Sequence, residues 1–357
     1  MGNIKAVIID DSAFMRKSLS IMLGSDTEIE IVGTAKNGLE GFELVKKVRP
    51  DIVTLDIEMP VMDGLTALKK IMAECPTSVI MVSSLTTEGA EATIQALEYG
   101  AVDFISKEMS FVSVNIVSIK EELIKKIKAI VKQKNLQNRL ERLQKLGDRS
   151  KPSSTIIQSR TSLSVPKIGY KAVGIGISTG GPLSLQKVIP FLNEKAQVPF
   201  FIVQHMPPKF TKSLAERLNS LSPIAVKEAE NNEVVKKGTV YLAPGGFHMT
   251  VVKSGIGDAV INISDKPSGT LHKPCVDVMI KSLLGVYGKN TLGVIMTGMG
   301  KDGYEAIKDL KGMGGYAVAQ SEETCVVYGM PKAIVDAGFA DAIVPLEKIY
   351  DTINKAL

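Results

Sequence analysis

The stretch AVIIDDSAFMRKSLSIML, residues 6–23, decides the fold of the front part of this chain. Its first four residues, Ala6–Ile9, are typical of a buried strand, and the amphipathic run Phe14–Leu23 is typical of a helix. The same alternation continues to about Lys107, with further apolar runs at Ile29–Val32, Ile52–Leu55, Val79–Val82 and Val102–Ile105. Five strands that alternate with helices predict a parallel sheet covered by helices on both faces.

The rest of the chain indicates a helix, a polar linker and a second α/β domain. From Ser113 to about Gly147 apolar residues recur at steps of three and four, and a Ser-rich basic segment follows. A β-rich run then begins at Ala172, with later strand candidates at Phe200–Val203, Ala225–Glu228, Thr239–Ala243, Met249–Val252, Leu292–Met296 and Ala317–Ala319. We also expect hairpin-like pairing near residues 239–263. The predicted parts are an α/β domain (1–125), a helical and polar linker (126–168) and a second α/β domain (169–357).

Composition restricts the class of protein. The 357 residues are 45% apolar and 23% charged, which is typical of a soluble globular protein long enough for two domains. The net charge of +5 is mild and does not indicate a nucleic-acid binder. Three widely spaced cysteines without a CxxC pair argue against a disulfide framework and favour the cytoplasm. The chain has no signal-peptide pattern at its start and no apolar run long enough for a membrane helix, so we expect no membrane insertion.

Charged side chains stand at the predicted strand ends of the front domain. Asp10 and Asp11 end the first strand, Asp56 ends the third, Ser83 ends the fourth, and Lys107 follows the fifth. In open parallel sheets functional groups gather at the carboxyl ends of the strands. Clustered carboxylates suit Mg²⁺, an ammonium group suits a phosphate, and a carboxylate can itself accept phosphate. Either aspartate of the first strand, taken alone, is better explained as a turn former or helix cap, and it is the convergence of all five residues that favours function.

The second domain contains a nucleophile pattern and two residues that can complete it. Gly176–Gly180 reads G-I-S-T-G, in which small neighbours let Ser178 project from a strand-to-helix turn. His205 follows a strong strand and precedes two prolines, and Asp302 lies in TGMGKDG directly after another strand. A serine, a histidine base and an orienting carboxylate are the parts of a hydrolytic triad, in the order Ser–His–Asp rather than the Ser–Asp–His of the α/β-hydrolases.

Other interpretations of these residues remain open from the sequence. Ser178 and Asp302 fit helix caps, and His205 fits a core histidine with satisfied hydrogen bonds. The glycines at 174–181 resemble a dinucleotide loop, although Thr179 stands where the third glycine belongs. A zinc site of three histidines is a weaker alternative, because they lie in unlike contexts with no H-x-x-x-H pair. The chain as a whole could also be a DNA-binding regulator, which needs a helix-turn-helix after the linker, or a scaffold without catalysis.

The front segments IIDDSAFMR, DIVTLDIEMPVMDGL, MVSS and YGAVDFISK resemble the response-regulator receiver domain over about residues 3–125. This resemblance implies a flavodoxin-like fold with Asp56 as the phosphoacceptor. It implies a Mg²⁺ site made from three carboxylates and one backbone carbonyl: Asp10, Asp11, Asp56 and Glu58. It also implies Ser83 and Phe104 as the switching pair and Lys107 as the phosphate contact. Glu108 departs from the proline that receivers usually have after this lysine.

The rear segments STGGPLSLQKVIP, VQHMPPKFTKSLAERLN, VYLAPGGFHM, IMTGMGKDGYEAI and AQSEETCVVYGMPKAI resemble the chemotaxis protein-glutamate methylesterases, the CheB family, over about residues 170–356. The resemblance implies a parallel-sheet, Rossmann-like α/β domain with Ser178 as nucleophile, His205 as base and Asp302 as orienting acid. It implies backbone amides near Thr179 and Met299 as oxyanion donors.

The family resemblance also carries functional expectations. It implies removal of methyl groups from glutamyl esters of chemotaxis receptors and hydrolysis of selected receptor glutamines, with no metal or cofactor for the rear domain. The expected partners are methyl-accepting receptors and a chemotaxis histidine kinase, in a cytoplasmic protein associated with receptor clusters. We expect phosphorylation of Asp56 to activate the rear domain. The family usually has His-Arg-Pro-Ser where this chain has His272-Lys273-Pro274-Cys275.

Overall fold

The computed structural model describes residues 3–107, 116–147, 166, 169–255 and 258–357. Glu108 and most of the predicted Ser-rich linker lie outside the described residues. The chain forms two compact units: the first comprises Met1–Val131 with Pro207–Leu214, and the second comprises Lys132–Met206 with Ala215–Leu357. Each unit is built on its own sheet, and each is described separately below. Two helices, Ile116–Gly147 and Phe210–Leu221, contribute residues to both units and are given at their places in chain order.

The first unit has the five predicted strands and the helices between them. In chain order they are β1 (Ile4–Ile9), α1 (Ala13–Gly24), β2 (Ile29–Ala35), α2 (Gly38–Val48), β3 (Ile52–Asp56), α3 (Gly64–Glu74), β4 (Ser78–Ser83), α4 (Thr87–Glu98), β5 (Asp103–Ser106) and α5 (Ile116–Gly147). All neighbouring strands are parallel, in the order β2-β1-β3-β4-β5. This is the flavodoxin-like order, so the predicted fold of the front domain is confirmed.

Short polar side chains fix where these helices begin. Ser12, Asn37, Asp63 and Thr86 each precede a helix and accept a hydrogen bond from a backbone N–H of its first turn. Such caps satisfy donors that the helix itself leaves unpaired, typically for about 1 kcal/mol each. Each cap follows a strand closely, so the loops are short and the strand ends lie at one edge of the sheet.

The second unit is a larger sheet with the following elements along the chain: β6 (Ala172–Ile177), α6 (Gly181–Gln186), β7 (Phe200–Gln204), α7 (Phe210–Leu221), β8 (Ala225–Glu228), β9 (Thr239–Leu242), β10 (His248–Ser254), β11 (Asp258–Ser264), α8 (Val276–Tyr287), β12 (Thr291–Ile295), α9 (Tyr304–Gly312), β13 (Tyr316–Gln320), α10 (Met330–Asp336), β14 (Ala342–Val344) and α11 (Leu346–Ala356). Seven strands pair in parallel in the order β14-β13-β12-β6-β7-β9-β8, and β10 pairs with β11 in an antiparallel hairpin. The prediction of a parallel, Rossmann-like α/β sheet is confirmed, and the second unit is not the helix-turn-helix of a DNA-binding regulator.

Strand β6 lies at the point where the strand order reverses. The chain runs from β6 outward through β7 on one side, then returns to build β12, β13 and β14 on the other side. In doubly wound sheets the crevice beside such a switch point is where ligands bind. The switch point therefore places β6, β7 and β12 next to one another, and the candidate triad residues follow these three strands.

Two glycines of β6 let helix α8 lie directly on the sheet. A Cβ atom at Gly176 would come within 2.4 Å of the Val276 side chain, and one at Gly174 would come within 3.0 Å of Leu283. Val276 and Leu283 are both fully buried in the core of this unit. The start of α8 is thereby packed against the carboxyl end of β6, close to the candidate active site.

Candidate active site and phosphoacceptor site

The first unit gathers three aspartates and a lysine at the carboxyl edge of its sheet. Carboxylate oxygens of Asp10, Asp11 and Asp56 lie within 4.8 Å of one another. The Nζ atom of Lys107 donates to the Oδ2 atom of Asp56 at 2.8 Å. Asp10 and Asp56 are buried, whereas Asp11 is exposed. The strand ends thus bring together four of the residues that the sequence predicted to converge.

Of the remaining predicted residues of this pocket, Glu58 contacts Asp56 through its backbone, whereas the Ser83 hydroxyl bonds elsewhere. The Ser83 hydroxyl donates to the carbonyl of Gly89 at 3.0 Å, at the start of α4. Phe104 is buried on β5. The backbone N–H of Glu58 donates to Oδ1 of Asp56 at 3.3 Å, and its carboxylate accepts a long bond of 3.5 Å from Ser84. In this structure Ser83 is therefore bonded toward α4 and not to Asp56.

Burial makes the negative charge of this pocket costly. It raises the pKa of Asp56 to about 6, with the charge of Asp10 adding to the rise and Lys107 opposing it. Burial also raises the pKa of Asp10. Burial alone would lower the pKa of Lys107, but the hydrogen bond and charge of Asp56 raise it overall. The cluster is a site where a cation would relieve repulsion between carboxylates.

The donor set fits a hard divalent cation. Three carboxylates converge, and the Oδ2 atom of Asp10 is buried without a hydrogen-bond partner in the described part of the chain. A buried carboxylate oxygen without a partner is costly unless an ion or water satisfies it. Mg²⁺ prefers one or two carboxylates with water and phosphate oxygens, and this pocket offers such ligands.

In the second unit, Ser178 lies on a tight turn between β6 and α6. The Gly181 N–H donates to the Ser178 carbonyl at 2.7 Å, which closes the turn. Gly180 has φ +74°, and a Cβ atom there would also lie 2.5 Å from the side chain of Val326. On the other side a Cβ at Gly298 would lie 2.9 Å from the Cβ of Ser178. Glycine is required at position 180 because of the positive φ and the Val326 side chain, and at position 298 because Met330 and Ser178 leave no room for a Cβ atom.

His205 and Asp302 form a direct hydrogen bond at the adjoining strand ends. The Nε2 atom of His205 lies 2.8 Å from Oδ2 of Asp302, and both side chains are largely buried. Asp302 also accepts from the N–H groups of Val276 (2.7 Å) and Asp277 (2.9 Å) and from the Cys275 thiol (3.1 Å). Burial would raise the pKa of Asp302, but His205 and the N–H groups of Asp277 and Val276 hold it well below its usual range.

The orientation of the His205 ring leaves its Nδ1 atom free of Asp302, and the Ser178 hydroxyl is not hydrogen-bonded to it in this structure. Because Nε2 is bonded to Asp302, the neutral ring carries its proton on Nε2 when the carboxylate is ionised. The Nδ1 atom is buried and has no hydrogen-bond partner among the described residues. The backbone N–H of His205 donates to the carbonyl of Ile177 at 3.3 Å, which ties His205 to the residue before Ser178.

Thr297 organises the region around the two candidate oxyanion donors, Thr179 and Met299. Its hydroxyl donates to the Thr179 carbonyl at 3.0 Å and accepts from the N–H groups of Val326 and Val327 at 3.1 Å each. Thr179 and Thr297 are fully buried, whereas Met299 is half-buried. Thr297 was not predicted as a site residue, although its place just beyond the end of β12 was a usable signal.

The other two histidines have separate environments. The ring of His272 stacks on that of His205, with centroids 4.2 Å apart and planes inclined by 23°. His248 is buried and its Nε2 atom lies 3.0 Å from the Thr270 hydroxyl. Within the described residues the aspartate trio of the first unit is the one group of His, Cys, Asp or Glu side chains arranged to hold a metal ion. The stacked position of His272 was not predicted from the sequence.

The three cysteines are buried as free thiols. No helix in the described ranges combines the length and apolarity that a bilayer crossing needs.

Two family models match the chain: a response regulator receiver domain over residues 6–116 and a CheB methylesterase over residues 173–353. A protein-glutamate methylesterase/protein-glutamine glutaminase of Pyrococcus abyssi is 47% identical over 356 residues, covering 99% of this chain and 94% of the relative. One from Oleidesulfovibrio alaskensis is 48% identical over 368 residues, covering 99% of each. The solved CheB methylesterase catalytic domain of Thermotoga maritima is 43% identical with a TM-score of 0.51, covering 53% of this chain and 100% of that chain. The chain therefore belongs to the CheB protein-glutamate methylesterase family and carries a response regulator receiver domain in front of the methylesterase domain.

Proposed function

We propose that this protein is a phosphorylation-activated serine hydrolase that removes methyl groups from glutamyl methyl esters of chemotaxis receptors. The observation that carries the proposal is the arrangement of Ser178, His205 and Asp302 after three neighbouring strands, with a 2.8 Å bond between the histidine and the aspartate. This is the set of nucleophile, base and orienting acid that acyl transfer needs, whatever the order of the residues along the chain.

In the acylation step, the Ser178 hydroxyl attacks the ester carbonyl while Nδ1 of His205 takes its proton. The tetrahedral intermediate collapses, the C–O bond to the methoxy group breaks, and the same proton leaves with the group as methanol. Water then attacks the acyl-serine, again with His205 as base, and releases the glutamate. Asp302 stays ionised and stabilises the imidazolium that forms in both steps.

The N–H groups of Thr179 and Met299 are the proposed donors to the oxyanion. The Thr297 hydroxyl holds the carbonyl of Thr179, and Gly298 lies against Ser178. Such contacts support donors that are fixed before the reaction, which is what makes an oxyanion hole effective. The loss of one donor typically costs about 100- to 1000-fold in kcat.

The same site supports hydrolysis of receptor glutamines to glutamates. An amide and a methyl ester of the same side chain give the same acyl-serine, and only the leaving group differs. With an amide, His205 returns its proton to the nitrogen so that ammonia departs. The relatives from P. abyssi and O. alaskensis are named for both activities.

In the first unit, Asp56 is the proposed phosphoacceptor, and a chemotaxis histidine kinase is the proposed phosphodonor. Asp10, Asp11 and Asp56, with the backbone carbonyl of Glu58, would hold Mg²⁺. The ion would offset the negative charge of the incoming phosphate. Lys107 would hold a phosphate oxygen, and Ser83 and Phe104 would change position in response. We also propose that the protein acts in the cytoplasm at receptor clusters. It binds no nucleic acid and does not insert into the membrane in this proposal.

The test is methanol release from methylated receptor, measured with and without acetyl phosphate as a small phosphodonor. We expect Ser178→Ala to lose at least about 1000-fold in rate, while Ser254→Ala, at an exposed serine of the β10–β11 hairpin, stays at the wild-type rate. Acetyl phosphate should accelerate the wild type and leave Asp56→Asn unchanged.

Two results would contradict separate parts of the proposal. Full activity in Ser178→Ala would remove the hydrolytic mechanism and favour a scaffold. Equal rates with and without acetyl phosphate, when Asp56 is demonstrably phosphorylated, would remove the phosphorylation control and leave the hydrolase intact.

A further inference from the structure

Asp302 is held by four donors, and three of them come from one short segment at the start of helix α8. Its Oδ2 atom accepts from His205 and from the Val276 N–H, and its Oδ1 atom accepts from the Asp277 N–H and the Cys275 thiol. Cys275 supplies the one side-chain contact in this segment. Without the thiol, Oδ1 would retain a single backbone donor among the described residues.

The segment that carries the thiol is fixed in place by the core. Val276 is fully buried, and Cβ atoms added at Gly176 and Gly303 would lie 2.4 Å and 2.9 Å from its side chain. The strand and the loop that carry these glycines therefore both pack against the Val276 side chain. A thiol attached to the preceding residue has little freedom to move away from Asp302.

The sulfur of Cys275 is a hydrogen-bond donor and not a nucleophile. Burial, and then the charge of Asp302, raise the pKa of this thiol to about 12, so it keeps its proton at neutral pH. A protonated buried thiol is a weak donor and is chemically inert. Cys325 offers a comparison within the same unit: it is also buried, but its sulfur lies 4.0 Å from the neutral Gln320 carbonyl. The 3.1 Å contact to a carboxylate distinguishes Cys275 from this cysteine.

We propose that Cys275 is a positioning residue of the hydrolytic site, whose thiol fixes the Asp302 carboxylate in the orientation that aligns the His205 ring. The inference rests on the proposed hydrolase function, because its kinetic consequence appears in that reaction. The weak thiol donor leaves more negative charge on Asp302 than a hydroxyl would, since a stronger donor withdraws more of it. Serine, the usual family residue here, would therefore hold the carboxylate more firmly but make it a weaker partner for the imidazolium.

The ionisable groups around this contact define what a pH profile can report. Besides His205 after β7, the described residues of the second unit include four such groups: His248 on β10, His272 stacked on the His205 ring, Lys273 before α8 and Asp277 on α8. Cys275→Ser and Cys275→Ala leave all four in place. A change in the acidic limb of the profile therefore reports the strength of the bond between His205 and Asp302.

The kinetic test compares the wild type with Cys275→Ala and Cys275→Ser in the full-length protein, with methylated receptor as substrate. We expect Cys275→Ala to lower kcat about tenfold with KM unchanged, because the lost contact acts on the catalytic bond and not on substrate binding. Cys275→Ser should recover most of kcat, while the midpoint of the acidic limb of kcat/KM moves to lower pH.

Cys75→Ala removes a buried thiol of the first unit and should leave both kcat and the pH profile unchanged. Wild-type kcat and an unshifted profile in Cys275→Ala would overturn the proposal.

The spectroscopic test does not depend on activity. The S–H stretching band of Cys275, isolated as the infrared difference between wild type and Cys275→Ser, should lie below that of Cys325 because its acceptor is charged. Asp302→Asn should move the Cys275 band to higher frequency, and a band that stays in place would overturn the proposal. If the wild type proves not to be an esterase, the proposed function fails, while this band still decides whether the thiol holds Asp302.

Discussion

Replacing Asp56 with asparagine should stabilise the first unit in the absence of divalent cations. The carboxylate of Asp56 is 1% exposed and lies within 4.8 Å of two others. Its pKa is about 6, against an ordinary value of 3.8, mainly because burial penalises the charged form. The folded protein therefore binds a proton at Asp56 more tightly than the unfolded chain does. Ionisation at neutral pH opposes folding, and asparagine removes that ionisation while keeping nearly the same shape.

The magnitude and its pH dependence follow from these two values. Because the pKa of Asp56 is raised in the folded protein, protonated Asp56 makes a favourable contribution to the free energy of unfolding. This contribution is fully present below pH 3.8 and is lost as the pH rises through about 6. Above that pH the difference between the folded and ordinary pKa values corresponds to about 3 kcal/mol of unfolding free energy, since each pKa unit is worth about 1.4 kcal/mol. At about pH 5 the penalty is about half as large. For a unit of this size, about 3 kcal/mol corresponds to a rise in Tm of about 10 °C.

The measurement is differential scanning calorimetry of the full-length protein in EDTA at about pH 8 and about pH 5. Asp56→Asn should raise Tm at the higher pH, and the gain should shrink at the lower pH. Glu30→Gln, which neutralises an exposed carboxylate on β2, should change Tm little at either pH. Added Mg²⁺ should stabilise the wild type more than the variant and so narrow the gap. A rise in the Tm of Asp56→Asn that is absent at the higher pH, or that is equal at both pH values, would contradict the prediction.

Three further predictions concern the second unit. His272→Ala should lower kcat about tenfold by removing the ring stacked on His205, whereas His272→Phe should keep most of kcat. Steady-state kinetics of the two variants measures the difference. Gly180→Ala should lower Tm by several degrees, because φ is +74° and Val326 occupies the space that its methyl group needs. Thr297→Val should reduce kcat about 100-fold with circular dichroism unchanged, and Thr297→Ser should restore it.

The strand ends of the first unit were predictable because apolar runs mark them directly. Asp10, Asp56 and Lys107 each follow a short β-branched run, and the rule that parallel strands expose groups at one edge then predicts their convergence. The rotamer of Ser83 was not predictable. It depends on the carbonyl of Gly89, whose position is set by tertiary packing and not by local sequence.

In the second unit, local patterns identified the residues but not their contacts. Runs such as Ala225–Glu228 match a strand in full, while the three-residue strand β14 was missed because so short a run carries almost no periodicity. The adjacency of β6, β7 and β12 arises from long-range pairing, which a single sequence does not encode visibly. The same is true of the backbone donors to Asp302, because main-chain N–H groups leave no signature in residue type.

The position of β6 between β7 and β12 has a consequence for how this enzyme is made. His205 and Asp302 are separated by 97 positions along the chain, yet they are hydrogen-bonded to each other. Contacts of such sequence separation form slowly, because a long loop must first close and lose conformational entropy before the contact can offset that loss. A nascent chain that has emerged only as far as Lys289 already contains the nucleophile and the base but neither β12 nor the acid. Hydrolytic competence is therefore acquired only after β12 and Asp302 have been synthesised, long after the first unit's five strands have emerged.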